Sequence, residues 1–173
     1  MSASYDSAFQ RVIGHEAGFQ ANPKDRGNWT SGIIGQGELK GTKFGISAMS
    51  YPNEDIKNLT LARAKEIYKK DFWDLCRCDS LPAEVAFNVF DGAINSGVAR
   101  SIKWLQEAVG TNPDGIIGPK TVNAALAMPQ NRLILRFNIA RAHSLTKMNE
   151  TKWNEFGRGL VNRVLANLRN IVG

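Results

Sequence analysis

One glycine-rich segment interrupts a chain that is otherwise patterned for helices, and it limits the folds open to the chain. Residues 24–48, KDRGNWTSGIIGQGELKGTKFGISA, hold six of the sixteen glycines, with β-forming residues and turn-prone pairs between them. On both sides of the segment, apolar residues recur with the spacing of amphipathic helices. The pattern predicts a mainly α protein with a small β-hairpin region.

Capping residues indicate where the helices begin and end. A first helix is predicted to end near Gly18, and a second to run from its cap, Thr60, to about Trp73. A third runs from Pro82 to Gly97. Further helices follow, and the last carries an apolar stripe that favours burial in the core over contact with a membrane: Trp153, Phe156, Leu160, Val161, Val164, Leu165 and Leu168.

The composition is that of a soluble globular protein. Of 173 residues, 43% are hydrophobic and 22% charged, which suits one compact core or two lobes. No stretch approaches the roughly 18 consecutive apolar residues of a membrane span. Residues 1–18 lack the basic and apolar regions of a signal peptide. We therefore expect the protein to be made in the cytoplasm and to stay there at first.

The sequence contains no recognisable metal site. Cys76 and Cys78 are spaced C-x-C, which fits neither a zinc knuckle nor a C-x-x-C redox pair. The two histidines, His15 and His143, lie far apart in the sequence, without an obvious ligand set. We therefore expect reduced thiols, no bound metal and no cofactor.

Basic residues are concentrated towards the C-terminal end. Residues 1–130 have 14 Lys and Arg against 14 Asp and Glu, whereas residues 131–173 have 8 against 2, which accounts for the net charge of +6. Such a surface attracts nucleic acid, anionic lipid or an acidic polymer such as a cell wall, or it simply keeps the protein soluble. Because no recognition-helix pattern accompanies the charge, we expect no nucleic-acid partner.

A carboxylate occupies a position where a helix should present an apolar side chain. Glu16 lies on the same helical face as three apolar residues, Phe9, Val12 and Ile13. Burial among apolar neighbours removes hydration from a carboxylate and favours its protonated form, and the negative end of the helix dipole acts in the same direction. Glu16 is therefore a candidate general acid. The alternative is a structural glutamate paired with an arginine in the core.

A second carboxylate and a hydroxyl follow Glu16 at short intervals. Asp25 and Thr30 complete an E-x8-D-x4-T pattern. If Asp25 faces Glu16 across a cleft, with the carboxyl groups roughly 6.5 to 9.5 Å apart, a catalytic water fits between them. Thr30 or Ser31 can help to hold this water. The alternative for Asp25 is a structural turn residue, because the sequence PKDRGN favours an Asx turn.

The third predicted helix carries a stripe of polar residues spaced four, three and four: Glu84, Asn88, Asp91 and Asn95. Amide and carboxylate groups on one helix face can hydrogen-bond to the polar groups of a ligand. Asp91 and Asn95 are therefore candidates for substrate binding, and the alternative is an ordinary solvated helix face.

Several of these segments resemble one known family, in the same order along the chain. HEAGFQANPKDRGNWTSGI resembles the E-G-G-Y/F-x-x-x-P-x-D-x-G-x-x-T segment of glycoside hydrolase family 108, the phage and bacterial N-acetylmuramidases. TLARAKEIYKKDFWD, LPAEVAFNVFDGAINSG and WLQEAVGTNPDGIIGPKT resemble later blocks of that family. The chain departs from the family pattern at Ala17 and in an insertion at residues 31–41.

The resemblance implies a lysozyme-like fold with two lobes flanking a cleft. A muramidase lobe would span residues 1–94, and a helical, peptidoglycan-binding lobe residues 95–173. The implied reaction is hydrolysis of the β-1,4 bond between N-acetylmuramic acid and N-acetylglucosamine, with Glu16, Asp25 and Thr30 as catalytic residues. The implied substrate-binding residues are Ser31, Thr42, Asp91 and Asn95.

The expected partners follow from this interpretation. Peptidoglycan is the substrate, and the basic C-terminal helices would also bind anionic envelope lipid. A monomeric phage endolysin without an export signal would pass from the cytoplasm of the infected host to the periplasm through a holin. Two alternatives stay open. One is a lytic transglycosylase, which breaks the same bond with one glutamate and no second carboxylate, and the other is a non-catalytic wall-binding or structural protein.

Overall fold

The computed structural model describes residues 3–14 and 18–172 and is mainly helical. The α-helices are α1 (Ala3–Ile13), α2 (Leu61–Tyr68), α3 (Ala83–Ser96), α4 (Val98–Val109), α5 (Pro119–Leu126), α6 (Gln130–Leu145), α7 (Glu150–Lys152) and α8 (Arg158–Val172). Short 3-10 helices cover Arg26–Asn28 and Cys78–Ser80, and π-helical turns cover Lys69–Trp73 and Trp153–Gly157. Two strands, β1 (Thr42–Lys43) and β2 (Ile46–Ser47), form a hairpin. The predicted mainly α class with a small hairpin is confirmed.

Two of the three predicted helix boundaries agree with the structure. Thr60 Oγ1 accepts a hydrogen bond from the backbone N–H of Arg63 at 3.1 Å, and the helical path that begins there continues to Trp73. The helix after Pro82 ends at Ser96, one residue before the predicted stop. The first helix is shorter than predicted. It ends at Ile13 because Gly14 takes a left-handed φ of 55°, which stops a helix.

The chain folds as two compact units, which we call the hairpin unit (Asp6–Lys70) and the helical unit (Met1–Tyr5 with Asp71–Gly173). In the hairpin unit, β1 and β2 are joined by Phe44 and Gly45, whose φ angles of 52° and 75° are both positive, as in a type I′ turn. Tyr68 donates its hydroxyl proton to the Phe44 carbonyl at 3.1 Å. This bond helps to hold Phe44 in a conformation that a non-glycine residue rarely adopts.

The helical unit is built around α3, which packs against α4 and α6. Gly92 permits this packing, because a Cβ at this position would lie 2.7 Å from Ser101 Oγ and 3.2 Å from the Phe137 ring. Ser101 in turn donates to the Val89 carbonyl at 2.6 Å. The close approach of three helices thus depends on a residue without a side chain.

The apolar stripe of the last helix is only partly buried, contrary to prediction. Val164 is 5% exposed, whereas Trp153, Phe156 and Leu165 are 43%, 48% and 47% exposed. The reason is that α8 packs mainly against one other helix, α6, which covers a narrower surface than a complete core would. Among the helices that the structure describes, none is long and apolar enough to cross a membrane.

The two cysteines, Cys76 and Cys78, are free thiols and are buried. Burial raises the pKa of the Cys78 thiol, and a hydrogen bond with Cys76 raises it further. Cys78 is therefore protonated and unreactive at neutral pH. No group of three or more His, Cys, Asp and Glu side chains suitable for a metal ion occurs within residues 3–14 and 18–172.

Candidate active site

Asp25 lies at the start of the loop that leads to the hairpin, where it caps the turn Arg26–Asn28. Its Oδ1 accepts a hydrogen bond from the Gly27 backbone N–H at 2.8 Å, and its Oδ2 accepts one from Gln20 Nε2 at 3.3 Å. The residue is exposed. The turn role indicated by PKDRGN is therefore present. It fixes the direction of the carboxylate while leaving other lone pairs of both oxygens open to a water molecule.

A buried amide lies behind Asp25 and organises the loop. Asn28 is 0% exposed, and its Nδ2 donates to Gln20 Oε1 at 2.8 Å and to the Asn22 carbonyl at 3.0 Å. Its Oδ1 accepts from Thr42 Oγ1 at 2.7 Å and from Gln20 Nε2 at 3.1 Å. Every donor and acceptor of the Asn28 amide is thus used. The same network holds the Gln20 amide that reaches Asp25.

Backbone pairing brings Gln20 and Thr42 together. Their N–H groups donate to each other's carbonyls at 3.0 and 2.8 Å. Gly41, the residue before Thr42, has a φ of 85°, and a Cβ there would collide with the Gln20 carbonyl oxygen. The close approach therefore requires glycine at position 41, and it sets the register that places the Thr42 hydroxyl against Asn28.

Three hydroxyl groups, those of Thr30, Ser31 and Thr42, are predicted to contact water or substrate. They differ in the acceptor to which each donates a hydrogen bond. The Thr42 proton is used inside the amide network, and Ser31 donates to the Gln36 carbonyl at 2.8 Å. Thr30 Oγ1 instead accepts from the Glu38 backbone N–H at 2.9 Å. Because its own proton has no acceptor among the described groups, Thr30 is the hydroxyl that can donate to a water or a sugar.

Glu16 lies outside the described residues. Its role as the acid, and its separation from Asp25, therefore stay predictions. Of the other candidates, the structure brings Asp25 and Thr42 into one hydrogen-bond network, and it places Thr30 and Ser31 in the turn that follows, within the same hairpin unit.

Asp91 belongs to the helical unit, where it is 2% exposed. Its Oδ2 accepts from Arg141 at 2.7 Å and from Asn167 at 3.2 Å, and its Oδ1 accepts from Arg163 at 2.8 Å and from Asn95 at 3.2 Å. These four donors occupy both oxygens, so the interpretation of Asp91 as a sugar ligand is corrected. Asp91 is a structural carboxylate that joins α3 to α6 and α8.

The rest of the polar stripe on α3 is divided between the core and the surface. Asn88 is 3% exposed and accepts from Asn138 Nδ2 at 2.8 Å, so the stripe is not a solvated helix face. Asn95 is partly exposed and donates to the Asp91 carbonyl at 2.7 Å. No described group donates to Asn95 Oδ1. On this helix, Asn95 therefore stays the candidate for substrate contact.

Sequence reasoning missed Gln20 and Asn28. Both lie in a segment rich in turn-forming residues, where polar side chains are expected to face solvent. Neither the residue type nor the spacing distinguishes a buried network amide from an ordinary turn residue. The pairing of Gln20 with Thr42, which closes the network, is visible only in the folded chain.

Two family models match the chain. The first, described as glycosyl hydrolase 108, matches residues 9–97, just over half of the chain. The chain belongs to glycosyl hydrolase family 108. The second model, described as a predicted peptidoglycan domain, matches residues 100–165. No match was found among the curated proteins.

A solved structure shares the fold along nearly the whole chain. The structure of Brucella abortus SagA matches with a TM-score of 0.78 and 30% sequence identity, over 98% of this chain and 94% of that chain. This match, together with membership of family 108, confirms the predicted lysozyme-like class.

Membership of family 108 makes the protein a glycoside hydrolase that degrades peptidoglycan. Asp25, Thr30 and the amide network all lie inside the family-108 match. Arg141 and Arg163, two of the partners of Asp91, lie inside the peptidoglycan-domain match.

Proposed function

We propose that this family-108 hydrolase is an N-acetylmuramidase that cleaves the β-1,4 bond between N-acetylmuramic acid and N-acetylglucosamine. The observation that carries the proposal is the Asp25 carboxylate, which is exposed and is oriented by Gly27 and Gln20. In this proposal residues 1–94 form the catalytic lobe, and residues 95–173 form the lobe that binds the wall.

The proposed reaction uses two carboxyl groups and one water. Glu16 gives its proton to the glycosidic oxygen as the bond to the anomeric carbon breaks. Asp25 takes a proton from the water, whose oxygen attacks the anomeric carbon from the opposite face of the ring and inverts its configuration. Thr30 donates a hydrogen bond to this water. Ser31 is proposed to contact the glycan, and Thr42 supports Asp25 through the amide network. Asn95, in the helical unit, is proposed to contact another part of peptidoglycan.

The products of a peptidoglycan digest test the reaction type. We expect every new reducing end to be N-acetylmuramic acid and every new non-reducing end to be N-acetylglucosamine, because water is added across the bond between them. Mass spectrometry of the soluble muropeptides, before and after borohydride reduction, measures this. Proton NMR during the digest should show the α-anomer first. Products with 1,6-anhydro ends, lighter by one water, would identify a lytic transglycosylase, and reducing N-acetylglucosamine ends would identify a different glycosidase.

The Asp25→Asn variant tests the proposed base. An asparagine oxygen can still accept the Gly27 hydrogen bond, and asparagine is as good an N-cap as aspartate, so the turn should keep its stability. An amide cannot take a proton from water, and kcat should fall by about 100-fold or more. The release of reducing ends from purified peptidoglycan measures kcat.

Two further variants make this result specific. Asp55→Asn is the matched control, because Asp55 is also an exposed aspartate of the hairpin unit whose Oδ1 accepts a turn hydrogen bond, from the Asn58 backbone N–H at 3.3 Å. It should keep the parent kcat. Asp25→Ala removes the cap as well as the base and should also lower the free energy of unfolding by about 1 kcal/mol. Parent-level kcat in Asp25→Asn would show that Asp25 is only a turn residue.

We also propose that the enzyme is a phage endolysin that acts on the wall in the periplasm after a holin releases it from the host cytoplasm. This part of the proposal is supported by the family resemblance alone.

A further inference from the structure

A cavity of about 620 Å³ lies in the helical unit, beside the C-terminal end of α3 and next to α4, α6 and α8. Several of its lining side chains are apolar, among them Ile94, Leu145, Met148, Phe156 and Leu160. Phe156 is 48% exposed. The partly buried stripe of the last helix therefore contributes one wall of a concave surface, whose size is in the range of ligand sites.

Three cationic side chains also line this cavity: Arg100, Lys152 and Arg163. Arg163 donates to Asp91 Oδ1 at 2.8 Å. Arg100 and Lys152 are exposed, and neither forms an ion pair with a described residue. The described residues that line the cavity include no acidic side chain. The cavity thus combines apolar surface with positive charge that the described part of the chain does not neutralise.

Small polar groups complete the lining. Ser96 lies at the C-terminal end of α3, and Ser144 lies next to the C-terminal end of α6. Ser144 Oγ donates to the Arg141 carbonyl at 2.7 Å and keeps lone pairs for a donor. Asn95 also lines the cavity, and its Oδ1 accepts from no described group. These groups can bind the amides of a peptide, while the cations bind its carboxylates.

We infer that this cavity binds the peptide stem of peptidoglycan. The stem is a short peptide with small aliphatic side chains and several free carboxylates, which matches an apolar pocket with unpaired cations. Most of the lining lies in residues 100–165, the segment that matches a peptidoglycan domain. The inference rests on the proposed function, which identifies the polymer as peptidoglycan. It assigns recognition of the peptide, and not of the sugar, to the lobe of residues 95–173.

The shape of the site favours a peptide over a membrane. Anionic lipid surfaces attract basic helices that lie flat in the interface, with a continuous apolar face on one side. Here the apolar and cationic groups line a concave volume shared by five helices, α3, α4, α6, α7 and α8. A flexible chain end can enter such a volume, whereas a bilayer cannot.

Binding of a free stem peptide tests the inference without any catalytic step. Isothermal titration calorimetry would measure the Kd of the full chain for the tetrapeptide stem, and for the same peptide with its carboxylates amidated. The double variant Arg100→Gln with Lys152→Gln should raise the Kd about tenfold, because it removes two charge-assisted contacts. Amidation of the peptide should have an effect of similar size on the parent. Both variant side chains are exposed, so the fold should be unaffected.

The matched control is Arg132→Gln with Lys120→Gln, which removes the same charge from exposed positions outside the cavity. It should change the Kd less than about twofold, as expected for a screened long-range effect. Equal losses in both double variants would show a general charge effect and overturn the inference. The inference is also overturned if the parent does not bind the stem, or if the cavity variant loses binding to phosphatidylglycerol vesicles but keeps its affinity for the stem.

A second measurement separates this inference from the proposed function. On intact peptidoglycan, the cavity variant should raise KM about tenfold with little change in kcat, because the contact is made with the peptide and not with the sugars whose bond is cleaved. On glycan strands stripped of their peptides, the KM values of parent and variant should be equal. If the protein is not a muramidase, neither substrate yields reducing N-acetylmuramic acid ends with either protein. If only the cavity assignment is wrong, both substrates are cut and the variant matches the parent.

Discussion

Glu16→Gln should leave the protein folded and remove nearly all of its activity on peptidoglycan. Glutamine has almost the same shape as glutamate, but its amide cannot give a proton to the leaving glycosidic oxygen. General acid catalysis commonly contributes about 10²- to 10⁴-fold, so kcat should fall at least about 100-fold. The rate at which purified cell walls release reducing ends measures the effect.

Glu66→Gln is the matched control for this experiment. It makes the same chemical change on α2, where the Glu66 side chain is 60% exposed and pairs with Arg63 at 3.2 Å. An exposed pair of this kind is screened by solvent and contributes little to stability, so the control should keep both stability and activity. Urea unfolding of both variants checks the fold. A folded Glu16→Gln protein that clears walls at the parent rate would show that another residue supplies the proton.

The largest effect on stability is expected for Asp91→Asn. Arg141 is 0% exposed, and the bond to Asp91 at 2.7 Å is the one hydrogen bond that its guanidinium makes in the described part of the chain, since its Nε and Nη2 have no partner there. Neutralising Asp91 leaves a buried cation without its counter-charge. Breaking a buried pair in this way costs about 3 to 5 kcal/mol of the free energy of unfolding. Urea unfolding measures the loss, provided that the slope of the free energy of unfolding against urea concentration is the same for parent and variant.

Two variants show whether the loss of stability comes from leaving a buried ion unpaired or from the loss of a charge alone. Arg163 bonds to the same carboxylate, but its side chain is 45% exposed. Arg163→Gln should therefore cost about 1 kcal/mol or less. Removing both buried charges, in Asp91→Asn with Arg141→Met, should recover much of the loss, because no buried ion is then left unpaired. Equal losses for Asp91→Asn and Arg163→Gln would contradict this account.

The bounds of two helices could be predicted from the sequence because they depend on neighbouring residues. The Thr60 cap and the Pro82 start each act within one turn of the chain. The exposure of Trp153 and Phe156 could not be predicted in this way. An amphipathic pattern shows which face of a helix is apolar, whereas the number of helices that cover that face depends on tertiary packing.

The same distinction between local and distant residues applies to the candidate site. Asp25 and Thr30 are close in sequence, within one turn-rich segment, and the pattern that contains them can be recognised locally. The partners of Asp91 are not local, because Arg141 lies 50 residues away and Arg163 lies 72 residues away. If these partners are unknown, the sequence of a helix with one polar stripe does not show whether an acidic residue is a buried structural carboxylate or an exposed sugar ligand.

The cluster around Asp91 also affects the order in which the chain can finish folding during synthesis. The Asp91 carboxylate leaves the ribosome 50 residues before Arg141, 72 residues before Arg163 and 76 residues before Asn167. The helical unit therefore cannot complete this cluster until Asn167 has been made. The hairpin unit lies within Asp6–Lys70, and all of its residues are available much earlier. Translation thus separates the completion of the two units in time.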